Sequence, residues 1–121
     1  SLAAQESALV KVSNDKVIQL YFNEILYIES DENYVGIHLL KDGKRSKEVI
    51  RSSLKNVEDQ LVYAISPIHR CHRKYLINFK YFEIIEASSR SLTIRLKDGD
   101  TTIPVSKRYV TSIRQLLVNR H

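Results

Sequence analysis

Two stretches of this sequence carry cations with no carboxylate among them. Residues 66–80 hold Arg70, Arg73, Lys74 and Lys80, residues 101–121 hold Lys107, Arg108, Arg114 and Arg120, and neither stretch contains an Asp or Glu. These eight exceed the formal net charge of +5 of the 121-residue chain, because elsewhere 11 basic residues face 14 acidic ones, a net of −3. Cations gathered where no opposite charge is close in sequence suit a surface that neutralises a polyanion; the plainer alternative is a solvated charge run. The residue types also fit reading as well as holding: the planar fork of Arg matches a guanine edge, and Lys offers a point charge to phosphate.

Other chemistries find less support. His69, Cys71 and His72 are close in sequence, but in a regular extended segment His69 and Cys71 share one face while His72 points to the other, and no distant partner set completes a metal site. Phosphate-cradling glycine loops, a nucleophile elbow and zincin histidine pairs are absent from the sequence, and carboxylates such as Asp42 and Asp98 fall in turn contexts. The expectation is a protein without catalytic activity, cofactor or metal. Cys71 is the single cysteine. Beside Arg70, His72 and Arg73 it would be reactive if exposed, but free Cys is commonly buried, so an inert core thiol is expected. One cysteine, apolar runs far short of the roughly 20 residues that span a bilayer, and an N-terminus without a secretory pattern suggest a soluble, cytoplasmic chain.

The elements that must position these groups are mostly strands. Period-two alternation marks residues 8–12 and 16–22 around Ser13-Asn14-Asp15, then 25–30 and 34–40. Asp42-Gly43 supplies the positive φ values of a type I′ turn, so another strand should run to about Val49. Residues 91–96 and 101–105 repeat the pattern around Lys97-Asp98-Gly99-Asp100. Three hairpins argue for antiparallel sheets. Two segments change period. Leu54, Val57, Leu61 and Val62 form one helical face behind the N-cap candidate Ser53, and Tyr109, Ile113, Leu116 and Leu117 form another after Ser106, which can cap it. Both stripes are read as core, and with no heptad seam the isolated domain should be a monomer. Size and composition fit one domain over 8–121, with 1–7 a linker or a cloning remnant.

Against that background, Arg70-Cys71-His72-Arg73-Lys74-Tyr75-Leu76-Ile77-Asn78 resembles the Arg-x-His-Arg-Ser-Tyr-Leu-Val-Asn signature of LytTR DNA-binding domains. Further pieces follow in family order: Ile25-Leu26-Tyr27-Ile28-Glu29-Ser30 with Asn33-Tyr34-Val35, Ser53-Leu54 opening the short helix, and Ile103-Pro104-Val105-Ser106-Lys107-Arg108-Tyr109. The departure is Lys74, where the family usually has Ser. The resemblance implies a mainly β fold of about ten strands in small antiparallel sheets, with one short helix and a C-terminal helix, presenting loops to duplex DNA. It also implies the output domain of a bacterial two-component response regulator that follows a receiver domain and pairs on direct-repeat sites.

Carried over by position, the DNA-facing candidates are Asn33 and Tyr34 of the Asp31-Glu32-Asn33-Tyr34 loop, then His72, Arg73 and Lys74, then Ser106, Lys107 and Arg108. Arg73 and Arg108 are assigned to base edges, and Lys74 and Lys107 to phosphates. Tyr75, Leu76 and Ile77 are read as core, Asn78 as a turn residue bonded to its own backbone, and Tyr34 alternatively as a packing residue. A different class remains open: a basic β-rich RNA-binding or protein-interaction module, in which Phe79, Tyr81 and Phe82 could stack bases. If about four to six phosphates are contacted, the log–log salt dependence of binding should have a slope near −4 to −5. Titrations from low to moderate salt check this, and an affinity that barely changes would remove the phosphate-dominated interface.

Overall fold

The computed structural model describes residues 6–119 apart from 64 and 98. Ten strands and two helices follow one another as β1 Ser7–Lys11, β2 Val17–Tyr21, β3 Ile25–Asp31, β4 Tyr34–Lys41, β5 Lys44–Arg51, α1 Leu54–Leu61, β6 Ile68–His72, β7 Tyr75–Asn78, β8 Phe82–Ala87, β9 Leu92–Leu96, β10 Thr102–Val105 and α2 Val110–Asn119. They form a two-stranded sheet β1-β2, a three-stranded sheet β10-β9-β8 and a central five-stranded sheet β5-β4-β3-β7-β6, with every pairing antiparallel. The expected mainly β architecture is the one observed. Neither helix is long and apolar enough to cross a membrane.

Both faces of the central sheet are covered at its middle strands, β3 and β7. Ile28 and its cross-strand partner Leu76 join the first core with Val10 and Leu20 of the β1-β2 hairpin and Val57 and Leu61 of α1. Tyr27 and its partner Ile77 join the second core with Phe82, Ile94 and Ile103 of the three-stranded sheet and Ile113 and Leu117 of α2. Alternate strand residues point to opposite faces, so a strand covered on both must be apolar at every position, as Ile25-Leu26-Tyr27-Ile28 is. Both helical stripes pack on their own domain, as expected.

Local rules account for several elements. Asp42 and Gly43 take φ of 51° and 78°, the left-handed pair that a type I′ hairpin needs. Ser53 Oγ accepts the Asn56 N–H at 3.0 Å, capping α1 as expected. Gln60 then fastens α1 to β1, its Oε1 accepting the Lys11 N–H at 2.7 Å and its Nε2 donating to the Lys11 carbonyl at 2.9 Å. The sequence pattern did not reveal that residues 68–78 form a hairpin and that 82–87 form a further strand. Their runs are short, and those of β6 and β8 are interrupted by irregular register.

One expectation is corrected. Ser106 does not cap the last helix with its side chain: Lys107–Tyr109 form a 3₁₀ turn before α2, and only the Ser106 carbonyl takes part, accepting the Tyr109 N–H at 2.8 Å. At the other end, Ser7 pairs with Tyr21 and the Glu6 carbonyl accepts the Phe22 N–H at 3.0 Å. The first five residues of the expected linker, Asp98 of the late turn, and Arg120 lie outside the described residues.

Asn78 is fully buried and holds two segments at once. Its Oδ1 accepts the Lys80 N–H at 3.0 Å, the local turn bond expected of it, while its Nδ2 donates to the Phe22 carbonyl at 3.1 Å. Asn78→Ala is expected to cost about 1–3 kcal/mol, because the buried bond to the Phe22 carbonyl is lost and the half-buried Lys80 N–H loses its acceptor. Urea unfolding checks this, with the midpoint falling at unchanged slope; a change within experimental error would mean that water replaces both bonds.

Candidate nucleic-acid interface

Three loops meet at one end of the central sheet because two backbone hydrogen bonds join them. The β3-β4 turn is Glu32-Asn33, with Glu32 at φ 55° and Asp31 paired to Tyr34 across it. Just before that turn the Ser30 N–H donates to the Lys74 carbonyl at 2.9 Å, which sets the β3-β4 turn beside the two-residue β6-β7 turn Arg73-Lys74. The Ser106 N–H donates to the Cys71 carbonyl at 2.9 Å, bringing the segment that carries Lys107 and Arg108 against the same strand. Asn33, Tyr34, Arg73, Lys74, Lys107 and Arg108 are exposed, and His72 and Ser106 are half-buried. The loops that hold the expected residues are therefore contiguous.

Within this cluster the side chains have defined settings. His72 Nδ1 accepts the Lys74 N–H at 3.1 Å, so the neutral ring carries its proton on Nε2, which is left as a donor. Burial, and then the charges of Arg73, Lys74 and Arg70, hold the His72 pKa below its ordinary value, so the ring is neutral at neutral pH. The Arg108 guanidinium lies over the Tyr109 ring, 5.1 Å from its centroid. Arg51 lies 5.9 Å over the Tyr34 ring and is the cross-strand partner of Tyr34, so a fifth exposed cation joins the end of the sheet. Arg51 falls outside the acid-free runs because it follows Glu48 closely in the chain; its place across from Tyr34 comes from the β4-β5 register.

Not all eight clustered cations face this end. Arg70 is turned inward, with Nη1 2.7 Å from Glu58 Oε1 of α1 and its other nitrogens on backbone carbonyls. Arg114 donates to the Ser88 carbonyl. Lys80 follows Asn78, at the end of β7 remote from the Arg73-Lys74 turn. Arg73, Lys74, Lys107 and Arg108 form no ion pair among the described residues. Asp31 and Glu32, exposed beside Asn33, disfavour phosphate at the first loop and leave it better suited to base edges or water.

The reading of His69, Cys71 and His72 needs revision in its geometry. The ladder shifts register between Arg70 and His72, so His69 pairs with Ile77 and His72 with Tyr75, putting both histidines on one face instead of two. Cys71 shares the His69 face and points into the second core, where it is fully buried, and burial pushes its thiol up to about 12 against a small opposing effect of Arg70. Among the described residues no three His, Cys, Asp or Glu side chains are placed to hold a metal ion. The aromatic run is no open stacking platform: Phe82 is fully buried, the Tyr81 hydroxyl donates to the Asn23 carbonyl, and the half-buried Phe79 meets the His69 ring edge-on.

Comparison with known proteins gives a consistent picture. The profile of the LytTr DNA-binding domain matches residues 15–118. An uncharacterized response regulatory protein of Vibrio cholerae is 25% identical over 103 residues, covering 85% of this chain and 40% of that protein. The transcriptional regulatory protein YpdB of Escherichia coli K12 is 28% identical over 109 residues, covering 88% and 41%. This chain thus spans about two fifths of the length of these relatives. A solved LytTr DNA-binding domain from Bacillus cereus superposes with a TM-score of 0.63 at 20% identity, over 93% of this chain and 98% of that one.

Burial of Cys71 can be tested directly. At mildly alkaline pH a thiol reagent is expected to label the folded domain far more slowly than the urea-unfolded chain, with duplex DNA leaving the slow rate unchanged. Rapid labelling of the folded domain would show that the sulfur reaches solvent and is not held in the core.

Proposed function

The chain belongs to the LytTR family of DNA-binding domains, and on that premise we propose that it reads a specific duplex site as the output domain of a longer bacterial response regulator. The observation that carries this reading is the joining of three loops by the Ser30–Lys74 and Ser106–Cys71 backbone bonds, which gathers at one end of the sheet four cations that have no ion-pair partner among the described residues. Arg73 and Arg108 read base edges. Lys74 and Lys107 hold flanking phosphates, and Arg51 adds a further charge to the same end. His72 offers Nε2–H to a base or phosphate acceptor, and Asn33 and Tyr34 meet the duplex at the neighbouring loop. Ser106 acts through its backbone, which docks the last loop against β6.

The names of the relatives supply the wider setting. They are response regulatory and transcriptional regulatory proteins more than twice the length of this chain. A receiver domain elsewhere in the longer protein would relay phosphorylation to this domain, which works in the cytoplasm, where the DNA is. The isolated domain is a monomer, and two copies pair on direct-repeat sites. No catalytic chemistry, metal or cofactor is assigned to it. The buried or bonded state of Phe82 and Tyr81 disfavours the RNA-binding alternative, since single-strand readers use exposed ring faces.

Base reading and phosphate holding respond differently to mutation. Arg73→Ala and Arg108→Ala should each cost about 1–3 kcal/mol on a site selected from random duplexes and relax preference at one base position. Lys74→Ala and Lys107→Ala should weaken binding to all duplexes alike and flatten the salt slope by about one unit per lost contact. Each variant is titrated on the selected site, its single-base variants and unrelated duplex across a salt series. Uniform losses for both arginines, with base preference intact, would reassign them to the backbone.

A further inference from the structure

The Arg73-Lys74 turn is held from behind by a charged side chain that does not face the DNA end. Arg70 donates from Nε to the His72 carbonyl at 2.7 Å, from Nη2 to the Arg73 carbonyl at 2.6 Å, and from Nη1 to Glu58 Oε1 at 2.7 Å. All three nitrogens are engaged, and the Arg70 and Glu58 side chains are only 16% and 23% exposed. The guanidinium acts where the strand ladder shifts register, between Arg70 and His72, and it supplies donors to the carbonyls of the two peptides that flank the Arg73 Cα. Its anion is firmly placed as well. Glu58 belongs to α1, which Gln60 and Asn56 clamp to the Lys11 backbone of β1. The turn is thus braced against a helix and a hairpin on the first-core side of the sheet.

We propose that Arg70 and Glu58 are positioning residues that fix how the Arg73-Lys74 turn is presented to DNA, and so set base preference without touching the duplex. The inference rests on the DNA-reading assignment made for that turn. A planar guanidinium bound to a carboxylate and to two carbonyls has one orientation, and the carbonyls it holds fix the plane of the peptide from which Arg73 projects. A bidentate base contact is demanding in both distance and angle, so a small rocking of this peptide at the root of a long side chain is enough to lose it. Without Glu58 the guanidinium keeps its carbonyls but loses the anchor that sets its plane.

The charge of Glu58 makes the test decisive, because electrostatics alone predicts the opposite sign. Removing an acid near a phosphate-binding face should tighten binding to every duplex. Positioning predicts that Glu58→Gln and Glu58→Ala bind the selected site about tenfold more weakly, toward the lower end of what a lost Arg base contact gives. It also predicts reduced discrimination at the base position read by Arg73, with affinity for unrelated duplex unchanged or slightly raised. Arg70→Lys, which keeps the charge but cannot span both carbonyls, should show the same loss of discrimination. Once Arg73 is Ala, the Glu58 substitution should add no further loss of preference. Urea unfolding and circular dichroism of each variant establish that it is folded. Tighter binding to all duplexes, a uniform loss across sequences, or a loss additive with Arg73→Ala would each overturn the proposal. A wild-type domain without preference among duplexes would instead overturn the DNA-reading assignment, and this inference with it.

Discussion

The end of the molecule that carries its exposed cations depends on one strand pairing, β3 with β7, in which Tyr27 faces Ile77, Ile28 faces Leu76 and Glu29 faces Tyr75. This ladder joins the β3-β4-β5 meander to the β6-β7 hairpin, two units that close separately along the chain and have no other edge in common in the strand order. Forming it costs the entropy of closing a long loop, and the return comes from burying side chains on both faces at once. The pairing also carries on past its last ladder partners. The Ser30 N–H reaches the Lys74 carbonyl, so the two turns end side by side instead of splaying apart.

Burial on both faces explains where polar chemistry can be placed. Along β3 and β7 neither face is free, and the buried polar side chain there, Asn78, bonds to the Phe22 carbonyl and to the Lys80 amide. Groups that must meet solvent or a polyanion are pushed to the strand ends, where the sheet runs out from under its covering layers. The same reasoning accounts for β5, which is exposed from Lys44 to Val49 and reaches the first core only at Ile50.

At the end of the sheet where the three loops meet, charge is sorted by geometry. Arg70 and Arg73 are three residues apart, yet one turns inward to Glu58 and two carbonyls while the other stands exposed and unpaired among the described residues. Arg is suited to both tasks, since its fork can brace a turn or read a base edge. Arg114, farther still from any acid in sequence, turns to the Ser88 carbonyl, whereas Arg51, close to Glu48, lies over Tyr34 at the end where the loops meet. Counting cations along the chain therefore does not tell which of them stand exposed together at one end of the sheet.

Much of the architecture was legible in the chain because it follows from short-range rules. The three expected hairpins, the Asp42-Gly43 turn, the Ser53 cap and the two amphipathic stripes rest on backbone preference and on side chains a few residues apart. The run from Arg70 to Asn78 pointed to the family, and the core reading of Leu76 and Ile77 and the turn bond of Asn78 followed from residue type. The β6-β7 hairpin was not legible, since its bulge breaks the period-two pattern and reverses the face on which His72 stands. Nor could the sequence say that Ser106 would use its backbone and not its hydroxyl, or that Arg70 would be taken by Glu58 while Arg73 stayed free. Those outcomes were decided by the tertiary structure alone. Strand register and the docking of α1 choose which groups meet across large sequence separations, and a hydrogen bond or ion pair forms only between groups that the fold has already brought within about 3 Å.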